Sequence, residues 1–354
     1  MSVAPAAPVF APWQQRAYDH ATAALDGGRL GHGLLFCGPA GIGRRVVAER
    51  LAQRMLCRDR GGDNGPCGRC RSCQLFAARS QTDPEEIRPD GSLAHPFGHP
   101  SHPDAVFVGY ANNEKTKKPR SEIVIEQIRA LSERLALTPQ YGGAQVVIID
   151  PADAINHFAC NALLKTLEEP QPGRYLWLLS TSPARLPATI RSRCQRLEFR
   201  LPPRAEALAW LRAQGHGEVA ASEALDAARG HPGRADAWLR DGGMALRRDV
   251  AADLALLRRG DAAALETAQR WVADNRAGLR LRHAADIALG EAAGGLTDPG
   301  RTRTLAAWFD AVNRAGDLLR TTVRADLVVA EVLLAWREAH AQAIQGASRT
   351  GARG

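Results

Sequence analysis

No apolar run in this chain is long enough to cross a bilayer. The longest, Val146-Val147-Ile148-Ile149 and Tyr175-Leu176-Trp177-Leu178-Leu179, fall far short of the roughly 20 residues a spanning helix needs. The N-terminus also lacks a basic-then-apolar signal pattern, so a cytoplasmic location is expected. In that compartment seven cysteines argue against disulfides and toward metal binding or buried thiols. Compositional extremes are missing too. With 354 residues, 45% of them hydrophobic and 24% charged, the chain is an ordinary globular protein of two or three domains. A net charge of +8 favours an anionic partner such as DNA. The basic residues are scattered, however, so the charge reads as a solvated surface and by itself establishes no nucleic-acid contact.

The segment Gly38-Pro39-Ala40-Gly41-Ile42-Gly43-Arg44-Arg45 has the glycines of a phosphate-binding loop but lacks its Lys and its Ser or Thr. In such a loop, backbone N–H groups cradle phosphates, the lysine reaches the β and γ oxygens and the hydroxyl holds Mg²⁺. Arg45 has no oxygen with which to ligate a cation. Arg44 keeps a positive charge, but its planar fork is a poor substitute for an ammonium inside a tight anion nest. ATP hydrolysis is therefore not expected. Taken alone, the glycine pattern also fits an ordinary strand-to-helix turn.

Four cysteines cluster as C-x9-C-x2-C-x2-C: Cys57, Cys67, Cys70 and Cys73. The two tight turns can direct three sulfurs at one tetrahedral ion, and Cys57 closes the set around a structural Zn²⁺ with no open position. Four thiolates and the ion leave a charge near −2, which Arg58, Arg60, Arg69 and Arg71 partly offset. Cys37, Cys160 and Cys194 read as small buried side chains.

Periodicity predicts a buried strand over 34–37 leading into the glycine loop and a helix over 44–55. The stretch 80–120 is rich in Pro, Gly, His and Asp and predicts a largely exposed, loop-rich insertion with one strand, 106–108. Its His95, His99 and His102 lack a supporting carboxylate pattern and read as loop residues. An amphipathic helix is expected over 121–137 with Ser121 as N-cap. A central parallel strand, 146–150, should bring the Asp150 carboxylate out at its C-terminal end. The next helix, 153–169, should turn Ala154, Phe158, Ala162, Leu163 and Thr166 to one side, with Pro170 stopping it. Strands at 175–179 and 197–199 complete a doubly wound parallel α/β sheet of five strands. After Pro202-Pro203 the pattern is all-helical. Breaks occur at 230–233 and 242–243, and the last helix, about 321–340, is apolar through Val323, Leu327, Val328, Val332, Leu333 and Trp336.

Asn161-Ala162-Leu163-Leu164-Lys165-Thr166-Leu167-Glu168-Glu169-Pro170, followed by Leu186-Pro187-Ala188-Thr189-Ile190-Arg191-Ser192-Arg193-Cys194, resembles the clamp-loader branch of the AAA+ family. With the cysteine module and the decayed phosphate loop, the likeness narrows to its delta-prime type from bacterial DNA polymerase III. The resemblance covers about 10–200, and Gly230-His231-Pro232-Gly233-Arg234-Ala235 is similar to the small lid domain. It implies a RecA-like AAA+ domain over 1–201, containing the zinc module 57–73 and the insertion 80–120. It further implies a helical lid over 202–242, a helical collar for oligomerisation over 243–342 and a disordered tail over 343–354.

In catalytic relatives the strand matching 146–150 ends in Asp-Glu, the Glu positioning the attacking water. Here Asp150 precedes Pro151, which has no proton-accepting group. The resemblance makes Arg193, within Ser192-Arg193-Cys194, an arginine finger for the triphosphate of an adjoining ATPase subunit; Arg191 is a weaker candidate. The expected partners are gamma or tau ATPase subunits and a delta subunit in a five-membered ring, with the sliding clamp and primed DNA reached through the complex. The alternatives are an active AAA+ ATPase in which Arg44 replaces lysine, and a zinc-dependent DNA-binding protein for which the α/β domain is scaffold.

Overall fold

The structure, a computed structural model, describes residues 9–59, 65–81, 85–88, 92–113, 115–141, 143–294, 298–319, 321 and 323–350, with side chains given up to 340. Arg60 lies outside these residues. The chain divides into two compact units. One runs to Trp210 and includes Gly230–Gly233; the other comprises Leu211–Arg229 and the residues from Arg234 onward.

The first unit contains α1 (Pro12–Asp26), β1 (Gly33–Cys37), α2 (Arg44–Leu56), α3 (Arg71–Ala77), β2 (Arg79–Ser80), β3 (His99–Pro100), β4 (Ala105–Val108), α4 (Ile125–Ala136), β5 (Gln145–Ile149), α5 (His157–Glu168), β6 (Arg174–Ser180), α6 (Ala188–Arg191) and β7 (Gln195–Glu198). Five strands form one parallel sheet in the order β4-β5-β6-β1-β7. The expected α/β sheet is thus present, strand for strand. Because side chains alternate along a strand, Leu34 and Phe36 join one core with Val47, Leu51 and Trp177. Leu35 and Cys37 join the opposite core with Val147, Ile149 and Leu163. Burial on both faces is why β1 and β5 read as unbroken apolar runs. All five strands point the same way, so the glycine loop, Asp150 and Ser180 emerge at one edge, where open α/β sheets bind ligands.

Two helices begin later than their periodicity predicts. The α4 N-cap is Val124, whose N–H bonds Gln127 Oε1 at 3.1 Å, and Ser121 lies outside the helix. Ile123 instead pairs with the segment after β5, its N–H on Ala154 O at 2.7 Å and its carbonyl accepting from Asn156 N at 3.1 Å. The predicted 153–169 helix is a 3₁₀ turn, Ala152–Ala154, then α5 capped by Asn156. Asp153 is held in the turn because its carboxylate accepts from Ser180 Oγ, Thr181 N and Thr181 Oγ1. The later start leaves Phe158 exposed. Ala159, Cys160, Leu163 and Leu167 form the buried face instead.

Among the described residues every element after Pro203 is helical: α7 (Arg204–Ala213), α8 (Glu218–Ala227), α9 (Pro232–Arg240), α10 (Gly243–Arg259), α11 (Ala264–Val272), α12 (Ala277–Gly294), α13 (Pro299–Leu318) and α14 (Ala325–Thr350). α10 to α14 share a core built on Trp271, Trp308 and Trp336. Each indole N–H is satisfied, by Asp253 Oδ2, Val332 O and Leu254 O respectively, as burial of a Trp demands. α14 starts at Ala325, so Val323 and Leu327 are exposed rather than part of the apolar arc, while Val332, Leu333 and Trp336 are buried. The helix also continues to Thr350, into the expected disordered tail; residues 351–354 lie outside the described residues.

His283 on α12 is fully buried against the Trp238 ring, centroids 4.5 Å apart. Burial, assisted by the Arg247 charge, pushes its pKa down to about 4. The unfolded imidazole titrates near 6.5, so the neutral form is favoured by folding, and that stability disappears as pH falls from about 6.5 toward 4. The loss should be on the order of 2–3 kcal/mol. Urea midpoints at pH 7 and pH 5 should differ clearly in the wild type and much less in His283→Phe; equal pH sensitivity in both would refute this assignment.

Candidate nucleotide, metal and arginine sites

The glycine loop is wound as its composition requires. Gly41 has φ +82° and Gly43, the N-cap of α2, has φ +99°, a region side chains rarely adopt. A Cβ on Gly43 would also strike the Gln14 side chain. Trp13 Nε1 and Gln14 Nε2 both donate to Ile42 O, at 3.0 and 3.1 Å, and bolt the loop to α1. Arg44, at the position of the lysine, is half-buried, and its Nη1 has no hydrogen-bond partner among the described residues. Burial lowers its pKa, opposed by Asp150 and Asp153. An unmatched cationic donor at this position suits an anion.

Arg45 stands where a phosphate-binding loop has Ser or Thr. Its Nε lies 2.7 Å from Glu49 Oε1 and its Nη1 3.3 Å from Asp150 Oδ2. Nη1 and Nη2 donate to His95 Nε2 at 3.1 Å and His99 Nδ1 at 2.9 Å, and the guanidinium stacks 5.0 Å over the Phe107 ring. The other Glu49 oxygen takes Arg79. The strand-end carboxylate is thus paired with a guanidinium through Oδ2. Pro151 follows, without a base.

The reading of the three histidines as plain loop residues is therefore corrected. His99 and His102 are buried and His95 nearly so. His95 and His99 converge with Glu86, the carboxylate that no local sequence pattern disclosed. His102 stands apart: its Nδ1 accepts from Asp104 N at 3.0 Å and its Nε2 lies 2.7 Å from Ser72 Oγ. It links the cysteine module to the start of β4.

Cys57, Cys67, Cys70 and Cys73 come together as their spacing predicts. Cys57 caps the C-terminus of α2 and Cys70 the N-terminus of α3. The Cys57–Cys70 and Cys67–Cys73 sulfurs are each 3.9 Å apart, close to the edge of about 3.8 Å that a tetrahedral ion with bonds near 2.3 Å sets. Backbone N–H groups of Cys67, Cys70 and Cys73 point at the sulfurs of Cys57, Cys67 and Cys70. Burial raises the Cys70 thiol, but the N–H groups of Cys73 and Arg58 outweigh it and bring the pKa down to about 6. The cluster is suited to hold a metal ion as thiolates. Cys37, Cys160 and Cys194 are buried elsewhere, and burial pushes the Cys194 thiol up to about 12.

Arg193 lies just beyond α6. Its Nη1 donates to Thr189 O at 2.9 Å and its Nη2 is 2.5 Å from Glu168 Oε1. The side chain remains 36% exposed. Ser192 Oγ donates to Thr189 O at 3.2 Å, and Arg191 Nε is buried without a hydrogen-bond partner among the described residues. Thus Glu168 of the Leu-Glu-Glu-Pro run and Arg193 of the Ser-Arg-Cys triplet, separate in sequence, form one ion pair.

The family model described as DNA polymerase III, delta subunit, matches residues 13–203, more than half of the chain. DNA polymerase III subunit delta-prime of Pseudomonas aeruginosa is 39% identical over 202 residues, covering 56% of this chain and 52% of that protein. The Escherichia coli delta-prime subunit is 30% identical over 225 residues, 63% and 59% of the two chains. The alignment thus spans little more than half the length of these curated relatives. A gamma/tau subunit from Mycobacterium tuberculosis is 32% identical over 191 residues, 52% of this chain and 28% of that one. Among solved structures, a gamma-subunit-related protein from Thermotoga maritima superposes over 92% of this chain and 99% of its own, at 15% identity and a TM-score of 0.44. From the matched family model and the delta-prime relatives, the chain belongs to the delta-prime family of DNA polymerase III subunits.

Proposed function

We propose that this chain is a non-catalytic, stator-like subunit of a DNA polymerase III clamp loader. It stands in a five-membered ring with gamma or tau ATPase subunits and a delta subunit, and supports ATP-driven loading of the sliding clamp onto primed DNA. The observation that carries this reading is Arg45: its guanidinium pairs with Asp150 where a cation would sit, beside a proline in place of the catalytic base. The same observation speaks against an active ATPase. Arg44 still offers a donor to phosphate, so nucleotide can associate weakly without turnover.

In this reading Arg193 is offered in trans to a neighbour's γ-phosphate, and residues 202–242 act as a lid. The segment 243–342 supplies the oligomerisation collar. The four-cysteine cluster holds a structural Zn²⁺, a folding staple with no position left for substrate. No helix among the described residues is long and apolar enough to cross a membrane; the place proposed for the chain, in the cytoplasmic replisome, follows from its delta-prime relatives.

The purified chain should show no Mg²⁺-dependent ATP turnover, yet should co-elute with purified gamma or tau and delta subunits in a complex whose ATPase responds to clamp and primed DNA. Brisk hydrolysis by the chain alone, or failure to enter that complex, would overturn the proposal.

A further inference from the structure

The loop between β2 and β3 brings three metal-ligating side chains together outside the cysteine cluster. Ile87 bridges Leu93, and Ala94 N donates to Glu86 O at 2.8 Å, setting Glu86 opposite the histidines. His99 is fixed by β3 pairing with β2. Glu86, His95 and His99 side chains are only 10%, 9% and 7% exposed.

The distances are those of a ligand set. His95 Nε2 lies 3.2 Å from Glu86 Oε2 and His99 Nε2 3.3 Å from Glu86 Oε1. A tetrahedral ion bound at about 2.0–2.1 Å sets nitrogen–oxygen edges of about 3.3 Å. Glu86 Oε2 and His99 Nε2 are buried without a hydrogen-bond partner among the described residues. The tautomers sharpen the point. A guanidinium only donates, so the atoms facing Arg45, His95 Nε2 and His99 Nδ1, carry lone pairs. His95 Nε2, whose lone pair accepts from Arg45, therefore lies 3.2 Å from Glu86 Oε2 with no proton to offer it.

We propose that Glu86, His95 and His99 form a second transition-metal site, whose occupation excludes the hydrogen bonds of Arg45 to both histidines. A metal on His95 Nε2 takes the lone pair Arg45 uses. A metal on His99 Nε2 leaves the proton on Nδ1, turning an acceptor into a donor. Arg45 then keeps its ion pairs with Glu49 and Asp150 and its place over the Phe107 ring. Two imidazoles and a carboxylate favour Zn²⁺, Co²⁺ or Ni²⁺ over Mg²⁺ or Ca²⁺.

Cobalt alone is the probe, added to the full chain with its cysteine cluster already zinc-loaded and followed by visible absorption and by metal content per chain. The wild type should take up one further equivalent with weak d–d bands and no thiolate-to-cobalt charge transfer. His95→Ala/His99→Ala should lose it. Glu86→Gln, nearly isosteric and the variant to use if the double alanine chain misfolds, should weaken it by more than the roughly 10–100-fold that loss of an outer-shell partner costs. Arg45→Met, freeing both histidines, should tighten it. The proposal fails if neither the wild type nor Arg45→Met binds the further equivalent, or if the equivalent survives in a folded His95→Ala/His99→Ala chain.

Discussion

Replacing Arg193 with Ala is expected to slow ATP hydrolysis at the neighbouring subunit's site by roughly 10³–10⁵, the usual worth of an arginine finger in phosphoryl transfer. That corresponds to about 4–7 kcal/mol of transition-state stabilisation. The ion pair with Glu168 does not stand in the way. A partly exposed pair of this kind contributes about 0–1 kcal/mol, so the developing charge on a γ-phosphate outcompetes it. On the proposed reading, Glu168 is a rest position for the Arg193 side chain. Glu168→Gln should accordingly change turnover by a few-fold at most. Arg193→Lys should behave much more like the alanine variant, because an ammonium cannot bridge phosphate oxygens as the guanidinium fork does. The measurement is single-turnover hydrolysis by the assembled complex, with assembly verified separately. Unchanged rates in Arg193→Ala would confine this residue to its ion pair.

The second large effect concerns the cysteine cluster. Cys73 is buried on α3, and burial, outweighing the Gly68 N–H, keeps its thiol well above the usual range; only a bound cation makes it a thiolate ligand here. Structural zinc contributes about 10–16 kcal/mol of apparent folding free energy in small modules. The cysteine cluster should account for one zinc equivalent, and Cys73→Ser should lose that equivalent. The backbone of 65–78 should lose hydrogen-exchange protection in that variant, while β1, β5 and β6 retain theirs. The restriction follows from packing: the sheet's two cores are built mainly from its own strands and helices, to which the module adds Phe76, and Ser72 Oγ ties the module to Leu56 O at 2.5 Å and to His102. A fully protected module in metal-free protein would exclude the staple role.

Much of the fold was legible in the amino-acid pattern because it depends on local periodicity. Buried parallel strands must be apolar on both faces, and helices must carry one apolar stripe; Val146 to Ile149 announces itself in this way. Element starts were less legible. The α5 register turned on Asp153 reaching Ser180 and Thr181 on another strand, and the α4 start on the pairing of Ile123 with Ile155. Both are long-range bonds that propensity does not encode.

The candidate sites divide along the same line. The absence of Lys and Ser or Thr after Gly43, the proline after Asp150 and the cysteine spacing are facts of covalent order, and the sequence alone determined them. Only the tertiary structure decided what surrounds Arg45, because Glu49, Glu86, His95, His99 and Asp150 come from segments up to about a hundred residues away. The reason is physical: buried charge must be compensated wherever it lies in space, and the partner that compensates Arg45 is chosen by proximity in the fold rather than along the chain.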